Sequence, residues 1–478
     1  MAAPGSIRGW SWLRAIILVA LGVSLFPGWA DAGRDLTLTQ CINLALAHDP
    51  EAQNAKQRVE IGKLKRSKAV KDFLPRVDLY VTTGPQTDYF GRPVTDKSVY
   101  YEGISMEQPL YKGGTLINGV KLAVSETRKQ EFQYLSRKLA VAAEAIKAYY
   151  QALTAQAVIQ QYEALLRHGE EDLREAKARL AAGTATRMEV LDFSVKLLDV
   201  QQKLSKAKTS YQVQISALKK LIGLEEESGL FLLKEYPLQD IQADLSALLK
   251  EAQTGRPDLK SGREDVIYSQ VKTNVERGKR LPQLSLVGRY EWENPTFMDG
   301  RKDWLVMLKA SISFGNTTMS LSEQRTEQYP NLFAYPTDIL NPLTPLRTYA
   351  FSTRQLKYSI FDRSSNKVEL AEAQADRDLA QNRWLQLQRQ VYYDVRDAQA
   401  QKADSAARME TAQQQITLAQ ELLSITRTKY GVGYATLTDV FKARAALAEA
   451  EVNLATARND KGVALGKLYQ ALGRDLHF

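Results

Sequence analysis

The residues that could carry covalent chemistry are few and scattered in this chain. Cys41 is the only cysteine among 478 residues, which excludes an intrachain disulfide bond and a site built from several thiolates. The three histidines, His48, His168 and His477, are far apart and have no spacing typical of metal ligands. No combination of histidine, cysteine, serine or paired carboxylates suggests a catalytic site. The sequence therefore predicts a protein that is not an enzyme and that holds no metal or cofactor.

Acidic residues recur instead, at matching positions of two similar motifs. Gly-Thr-Ala-Thr-Arg-Met-Glu-Val at 183–190 and Gly-Tyr-Ala-Thr-Leu-Thr-Asp-Val at 433–440 share glycine, alanine, threonine and valine, with an acid before the last valine. The acids are Glu189 and Asp439, and Lys442 follows Asp439 by one helical turn. A lysine at this spacing can neutralise a carboxylate. The chemistry available to these residues is electrostatic. One hypothesis is a functional Asp439–Lys442 pair, and the alternative is an ordinary solvated pair on the helix surface.

The two motifs belong to a long internal repeat. The offset of 250 residues that relates them also pairs Gly223 with Gly473, and it pairs Asp192 with Lys442, where the charge is reversed. Internal repeats give equivalent positions equivalent roles in an architecture. Each copy is predicted to contain a helix, a β-hairpin, a very long helix, a turn and a second long helix.

Long helices dominate both copies. Residues 115–182 and 364–430 are rich in good helix formers and poor in glycine and proline. The first helix would be about 100 Å long, which no globular domain needs. After each turn, apolar residues recur in heptads, as in an antiparallel helical hairpin. One seam of the second copy is alanine throughout: Ala443, Ala450, Ala457, Ala464 and Ala471.

Each copy also contains a predicted β-hairpin. In the first copy, alternating segments within 77–110 flank a loop rich in glycine and proline. In the second copy the hairpin begins at 284–287, and its return strand is either 304–314 or 349–360. The repeat register favours 349–360. The second copy has extra residues, which predict an irregular insertion within about 315–347 whose role is open.

The chain is predicted to be exported. Arg8 and Arg14 precede an apolar segment at 15–26, and Ala-Asp-Ala at 30–32 suits a cleavage site, so residues 1–32 are predicted to be a signal peptide. A retained anchor is the alternative. The net charge of +9 comes from basic residues interspersed with acidic ones, which argues against a nucleic-acid partner.

Four strands per chain cannot close a barrel, since about eight strands is the smallest closed size. Two copies would supply eight strands, and three copies would supply twelve, enough for a lumen. A membrane barrel would also carry girdles of aromatic residues. The candidates are Tyr80, Tyr89, Tyr100, Tyr101, Tyr290, Trp292, Trp304, Tyr349 and Phe351. A soluble β-layer with an aromatic core is the alternative.

Two further motifs complete the pattern. Gln-Pro-Leu-Tyr-Lys-Gly-Gly at 108–114 leads from strand to helix, and Lys-Tyr-Gly-Val-Gly at 429–433 precedes Thr-Asp-Val at 438–440. Together with the signal peptide and the duplicated plan, they resemble the TolC-type family of outer-membrane efflux proteins. The resemblance implies an α+β membrane protein, mostly long α-helices, with two β-hairpins, hence four strands, per protomer. Three protomers would form a twelve-stranded outer-membrane β-barrel continued by a periplasmic helical barrel.

The resemblance also implies functional residues at the periplasmic end. Tyr430 corresponds to a tyrosine of the family's gating network, Asp439 to an aspartate of its aperture ring, and Glu189 to the acidic position of the first repeat. Lys442 replaces a second ring aspartate, and Ala435 replaces an arginine that links neighbouring helices. The tips expected to contact a periplasmic adaptor are Gly183, Thr184, Ala185, Thr186, Gly433, Tyr434, Ala435 and Thr436.

The implied function is that of a passive exit duct in a tripartite efflux pump or a type I secretion system. Its expected partners are two further copies of the chain, a periplasmic adaptor, an inner-membrane pump or ABC transporter, and outer-membrane lipid. The two repeats are expected at 33–223 and 244–478, joined by an equatorial linker at 224–243. A soluble periplasmic coiled-coil scaffold is the alternative, and the cargo is open.

Overall fold

The computed structural model describes residues 34–87, 93–183, 185–227, 229–296, 299–314, 317–328, 349–360 and 366–475. The predicted signal peptide and Tyr89 lie outside these residues. At several strand ends only the backbone is described, which includes the predicted aromatic candidates Tyr100, Tyr101, Tyr349 and Phe351.

Eight α-helices account for most of the described residues. They are α1 Leu38–His48, α2 Pro50–Lys71, α3 Thr115–Ala181, α4 Arg187–Ile222, α5 Leu245–Gly255, α6 Pro257–Gly278, α7 Asn366–Gly431 and α8 Leu437–Leu472. The long helix α3 has 67 residues and α7 has 66. Both copies of the repeat therefore contain the very long helix that the composition predicts. The five seam alanines of α8 are all buried.

The helices lie side by side in two sets. Near the sheet their order is α2, α3, α6, α7, and farther away it is α4, α3, α8, α7. The long helices α3 and α7 run through both sets. One edge of the chain thus carries α2 and then α4, and the other edge carries α7 along its whole length.

The strands form two sheets. β1 Arg34–Leu36 pairs in parallel with β4 Leu230–Leu232. The larger sheet is antiparallel throughout, in the order β2, β3, β5, β6, β7, β8. Its strands are β2 Arg76–Thr87, β3 Pro93–Lys112, β5 Gln283–Thr296, β6 Asp299–Phe314, β7 Thr317–Gln328 and β8 Tyr349–Ile360.

The prediction of four strands in two hairpins is wrong, because the larger sheet has six. Both candidate return strands are present, but β6 pairs with β5, and β8 pairs with β7. Only two residues separate β5 from β6, so closing that loop costs less chain entropy than pairing β5 with the distant β8. Within the predicted irregular insertion, Thr317–Gln328 is a strand, and 329–348 lies outside the described residues.

The two faces of this sheet differ in polarity. On one face, exposed apolar side chains include Leu79, Ile104, Leu308 and Leu356. The register aligns Leu79 with Ile104, Ile104 with Tyr290, and Tyr290 with Trp304. The opposite face carries mostly polar residues, among them Ser105, Arg289, Lys309, Ser320 and Lys357.

The aromatic candidates divide between these two faces. Tyr290, Trp292 and Trp304 lie on the apolar face, and the Tyr290 and Trp292 rings meet edge to face at 4.8 Å. Tyr80 pairs with Gly103 on the polar face, one residue out of phase with Leu79, because successive strand residues point to opposite sides. The assignment of Tyr80 to a girdle on the apolar face is therefore wrong.

The largest buried cluster lies at mid-length of α3, where α1, α4, α8, β1 and β4 meet. Tyr149 is fully buried there, and its hydroxyl lies 3.1 Å from the Leu36 carbonyl and 2.5 Å from that of Leu233. Cys41 is also fully buried, which raises the pKa of its thiol to about 12. The thiol is thus held protonated and unreactive.

Asp49 joins two elements of the first repeat. Its carboxylate caps α2 by accepting from the Ala52 amide at 2.7 Å. It also accepts from Arg137 of α3 at 2.9 and 2.7 Å. The Arg137 hydrogen bond holds the pKa of Asp49 below its usual range.

Asp49→Ala is expected to lower the free energy of unfolding by about 2 to 4 kcal/mol, because it removes a helix cap and a bidentate ion pair. Asp49→Asn is the control, since asparagine keeps the cap and loses the charge. A carboxyl with a lowered pKa stabilises the fold above its ordinary pKa, and this contribution is lost as pH falls through the lowered value. Thermal unfolding in detergent should therefore show the wild-type advantage over Asp49→Asn shrinking in acid; a constant difference would contradict the ion pair.

Within the described part of the chain, none of the helices combines the length and the apolar character needed to cross a membrane. The same residues contain no cluster of histidine, cysteine and carboxylate side chains arranged to hold a metal ion.

Candidate functional site at the helical tips

The repeated motifs form the turns at the ends of two helical hairpins, α3–α4 and α7–α8. Each turn passes through a glycine in the left-handed region, with φ of 76° at Gly183 and 82° at Gly433, a conformation that side chains disfavour. Each following helix is capped by a threonine, Thr186 or Thr436, whose hydroxyl accepts an amide hydrogen bond at 3.2 Å. The geometry of the turn and of the helix cap therefore explains the residues that the two motifs share.

Asp439 completes a capping box with Thr436. Its carboxylate accepts from the Thr436 amide at 3.0 Å and from the Thr436 hydroxyl at 2.7 Å. The hydroxyl contact, more than the charge of Lys442, holds the pKa of Asp439 below its usual range. Lys442 Nζ lies 3.8 Å from Asp439 Oδ1, and both side chains are exposed. Within one chain the pair is therefore loose, and Asp439 stays ionised at neutral pH.

Tyr430 contacts the other hairpin. The Arg179 guanidinium, near the end of α3, lies 5.0 Å from the centroid of the Tyr430 ring, within the range of a cation–π interaction. Burial raises the pKa of the Tyr430 hydroxyl, against an opposing effect of Arg179. The structure thus brings this predicted gate residue against the first tip, while Glu189 stands half-buried on the adjacent helix α4.

Three contacts between the hairpins escaped the sequence analysis. Arg444 Nη1 donates to Asp172 Oδ2 at 2.6 Å, and both side chains are about 85% buried, with exposures of 15% and 16%. Burial raises the pKa of Asp172, although Arg444 opposes that shift. Thr438 donates its hydroxyl to Asp192 at 3.3 Å.

The third contact is an aromatic pair. The rings of Phe193 and Phe441 meet edge to face at 5.0 Å, and both are buried. A Cβ atom at Gly169 of α3 would press on Leu197 and Phe441, so glycine is needed for this approach. These residues differ between the two copies of the repeat, so the match between the copies gave no signal for them.

The outer surface of the tips is open. Tyr434 is 86% exposed, and Met188 and Val432 are also largely exposed. Ala185 and Ala435 are partly exposed, and Thr184 lies outside the described residues. Apolar side chains at the end of a helical hairpin mark a surface that can bind another protein.

The comparisons with known proteins agree with this architecture. The model of the family described as outer membrane efflux protein matches residues 41–224 and 346–474. The outer membrane protein TolC of Vibrio cholerae is 23% identical over 463 residues, covering 96% of this chain and 95% of that protein. The alkaline protease secretion protein AprF of Pseudomonas aeruginosa is 26% identical over 193 residues, which span only 39% of each chain.

The fold agrees as well. A crystal structure of CusC superposes with a TM-score of 0.69 at 15% identity, covering 94% of this chain and 96% of that one. The resemblance inferred from the motifs is confirmed: the chain belongs to the outer membrane efflux protein family, whose members are transport channels of the outer membrane that extend into the periplasm.

Proposed function

We propose that this protein is the exit duct of a tripartite efflux pump or of a type I secretion system. Three identical chains enclose a duct across the outer membrane and the periplasm, and substrates pass through it without covalent chemistry. The observation that carries the proposal is that each chain has two uncovered, complementary edges. The scaffold alternative finds no support, because the family is one of outer-membrane channels.

The helical edges carry apolar stripes that have no partner within the described part of one chain. On α4 the stripe lies away from α3 and consists of Met188, Leu191, Val195 and Leu198, which are 57 to 81% exposed. On α7 it consists of Leu418, Leu422 and Ile425. Each set repeats every three or four residues and so forms one helix face. Because the stripes lie on opposite edges, α4 of one copy packs against α7 of the next, a contact that can close into a ring.

The sheet has matching edges. Among the described strands, β2 pairs only with β3, and β8 pairs only with β7. The free backbone groups of an edge strand need a partner. In a ring of three copies, β2 of each copy pairs with β8 of its neighbour. The apolar face of the sheet then contacts lipid, and the polar face lines the duct.

The periplasmic aperture lies at the tips, where Tyr430, Asp439, Lys442 and Glu189 control it. The Asp172–Arg444 ion pair and the buried aromatic contact beside it hold the α3–α4 hairpin against the α7–α8 hairpin. Opening requires these contacts to break, as in other switches that repack helix pairs. An adaptor that binds the tips can supply the free energy for this change.

Lys442→Asp is expected to make the closed aperture more cation-selective and more sensitive to block by multivalent cations. Asp439 is already ionised, and three copies of a second carboxylate would converge beside it, which attracts cations. Single-channel recording measures both properties. Lys467→Asp on the same helix, far from the tip, is the control and should change neither; equal effects of the two substitutions would exclude a specific role for Lys442.

Crosslinking tests the proposed function directly. Ala185 and Thr436, replaced by a photoreactive residue, should capture a periplasmic adaptor in cells that contain the partner proteins. Glu60, exposed on α2, is the control position and should capture none. The protein should also require detergent for extraction from membranes. Release with the periplasmic fraction, or no adaptor captured at either tip, would contradict the proposal.

The proposal has two forms, which differ in the cargo that the duct carries. The family description supports efflux, and the likeness to a protease secretion protein supports secretion of polypeptides. The transporter recovered with the adaptor distinguishes them, since an ABC transporter indicates type I secretion and a proton-driven pump indicates efflux.

A further inference from the structure

The β6–β7 hairpin is an addition to the two-hairpin plan of the repeat. It lies between β5 and β8, which the plan would join directly. A hairpin adds two strands, so β8 still runs toward the start of α7 at Asn366. The chain can therefore gain this hairpin without changing the direction in which it leaves the sheet.

Both added strands are paired along their full lengths. The β5–β6 ladder runs from Gln283↔Ser311 to Thr296↔Asp299, and the β6–β7 ladder from Phe314↔Thr317 to Trp304↔Glu327. β7 then pairs with β8 over the whole of Thr317–Gln328. The hairpin is thus continuous with the sheet and is not a projection from its rim.

The added strands share the two faces of the strands around them in the half of the hairpin nearest Phe314 and Thr317. Farther along, the same face of β7 carries Glu323 and Arg325, which are paired with Leu308 and Val306. Val306, Leu308 and Leu321 are exposed on the apolar face, and Leu321 is paired with Leu356 of β8. On the other face lie Lys309, Ser311, Ser313, Ser320 and Gln324. Alternation in phase with the neighbouring strands is what a membrane wall requires of every strand in it. β6 meets this requirement, and β7 meets it over its first half, Thr317 to Ser322.

The widths of the two parts of the chain also agree. Four helices side by side, at about 8 to 10 Å each, cover roughly 32 to 40 Å of circumference. Strands about 4.8 Å apart and tilted by about 40° cover roughly 25 Å if there are four and 38 Å if there are six. At this tilt the six-stranded sheet is about as wide as the helical wall.

We propose that the β6–β7 hairpin is part of the membrane wall, so that three chains build an eighteen-stranded barrel in place of the twelve-stranded one that the resemblance implied. This inference rests on the proposed trimeric duct. The outer-membrane exit is then as wide as the helical tunnel and lined by polar side chains. Size selection falls to the helical tips, and the barrel admits any cargo that the tunnel admits, up to bulky polar polymers.

Cysteine labelling of the full-length trimer in liposomes tests this. The native Cys41 is buried and protonated, so it leaves a silent background. A charged, membrane-impermeant maleimide should label Lys309→Cys and Ser320→Cys about tenfold more than Val306→Cys and Leu321→Cys, because lipid excludes the charged reagent. All four variants should label equally after unfolding, which confirms that each thiol is reactive.

Labelling at two further positions distinguishes failure of the eighteen-stranded barrel from failure of the proposed duct. Leu79→Cys on β2 and Lys357→Cys on β8 belong to the wall with or without the added hairpin. If they alternate in labelling while the four hairpin positions all label alike, the eighteen-stranded barrel is wrong and the exit duct stands. If Leu79→Cys and Lys357→Cys also label alike, the proposed duct itself is wrong.

Discussion

Arg444→Ala is expected to raise the basal conductance of the channel in planar bilayers about thirtyfold, with the adaptor absent. The substitution leaves the carboxylate of Asp172, which is only 16% exposed, without its cation. Stranding a largely buried charge costs about 2 kcal/mol after allowance for the remaining solvent. Each 1.4 kcal/mol or so changes an open-to-closed ratio about tenfold.

Two variants make this prediction specific. Arg408→Ala is the control, because its ion pair with Asp404 on α7 is mostly exposed and should contribute little. Replacing Asp172 and Arg444 together by leucine removes both charges and keeps apolar volume, so conductance should return toward the wild-type value. A leak as large in Arg408→Ala as in Arg444→Ala, or no recovery in the double variant, would show that this ion pair does not hold the tips.

The leak should also depend on pH. Burial holds the pKa of Asp172 above its usual range, and loss of Arg444 removes an opposing effect and raises it further. A carboxyl with a raised pKa in the folded state stabilises the fold at pH below its ordinary pKa, and this contribution is lost as pH rises through the raised value. Acidification should therefore reduce the leak of Arg444→Ala. Conductance measured across a pH series checks the sign.

Gly113→Ala is expected to prevent assembly of a stable trimer in the outer membrane. Gly113 has a φ of 58°, and its backbone meets that of Gly278 where α6 leads toward β5. A Cβ atom at Gly113 would collide with the Gly278 carbonyl. Left-handed strain and forced separation of the two backbones together cost about 3 kcal/mol or more. Membrane fractionation and the heat resistance of the trimer on gels measure the loss.

Substitution of the neighbouring glycine separates the cost of left-handed backbone strain from the cost of the steric collision. Gly114 has a φ of 76°, but a Cβ there would meet only the side chain of Asn118 at 3.8 Å. Gly114→Ala should therefore cost about 1 kcal/mol, from left-handed strain alone, and should still assemble. Equal defects in Gly113→Ala and Gly114→Ala would mean that the contact with Gly278 is unimportant.

The helices and tips were the most predictable parts of this molecule. The start of α3 at Thr115, its end before Gly183, and the equivalent turn at Gly433 all follow from local rules for helix formers, glycine and capping threonine. The repeat added independent support, because each helix boundary occurs at the equivalent position in both copies. The motif acids were correctly located at the tips, but their capping role emerged only from the hydrogen bonds of Asp439.

The strands were less predictable. β7 has serine, threonine and glutamate at most positions, and the sequence has no apolar alternation strong enough to distinguish it from a loop. Its identity as a strand depends on β6 and β8, which pair with it on both sides. β-propensity reflects such packing more than the intrinsic preference of each residue.

The sequence by itself predicted the export signal. It also determined the duplication, the lengths of the helices and the two equivalent turns, because all of these depend on residues that are neighbours along the chain. Only the tertiary structure decided the six-stranded sheet, its two faces and the pairing of Asp172 with Arg444. Those two residues are 272 positions apart, and no local pattern specifies which distant side chains will share a buried site. The two copies of the repeat differ at both positions, and only the packing of the helices decides which contacts form.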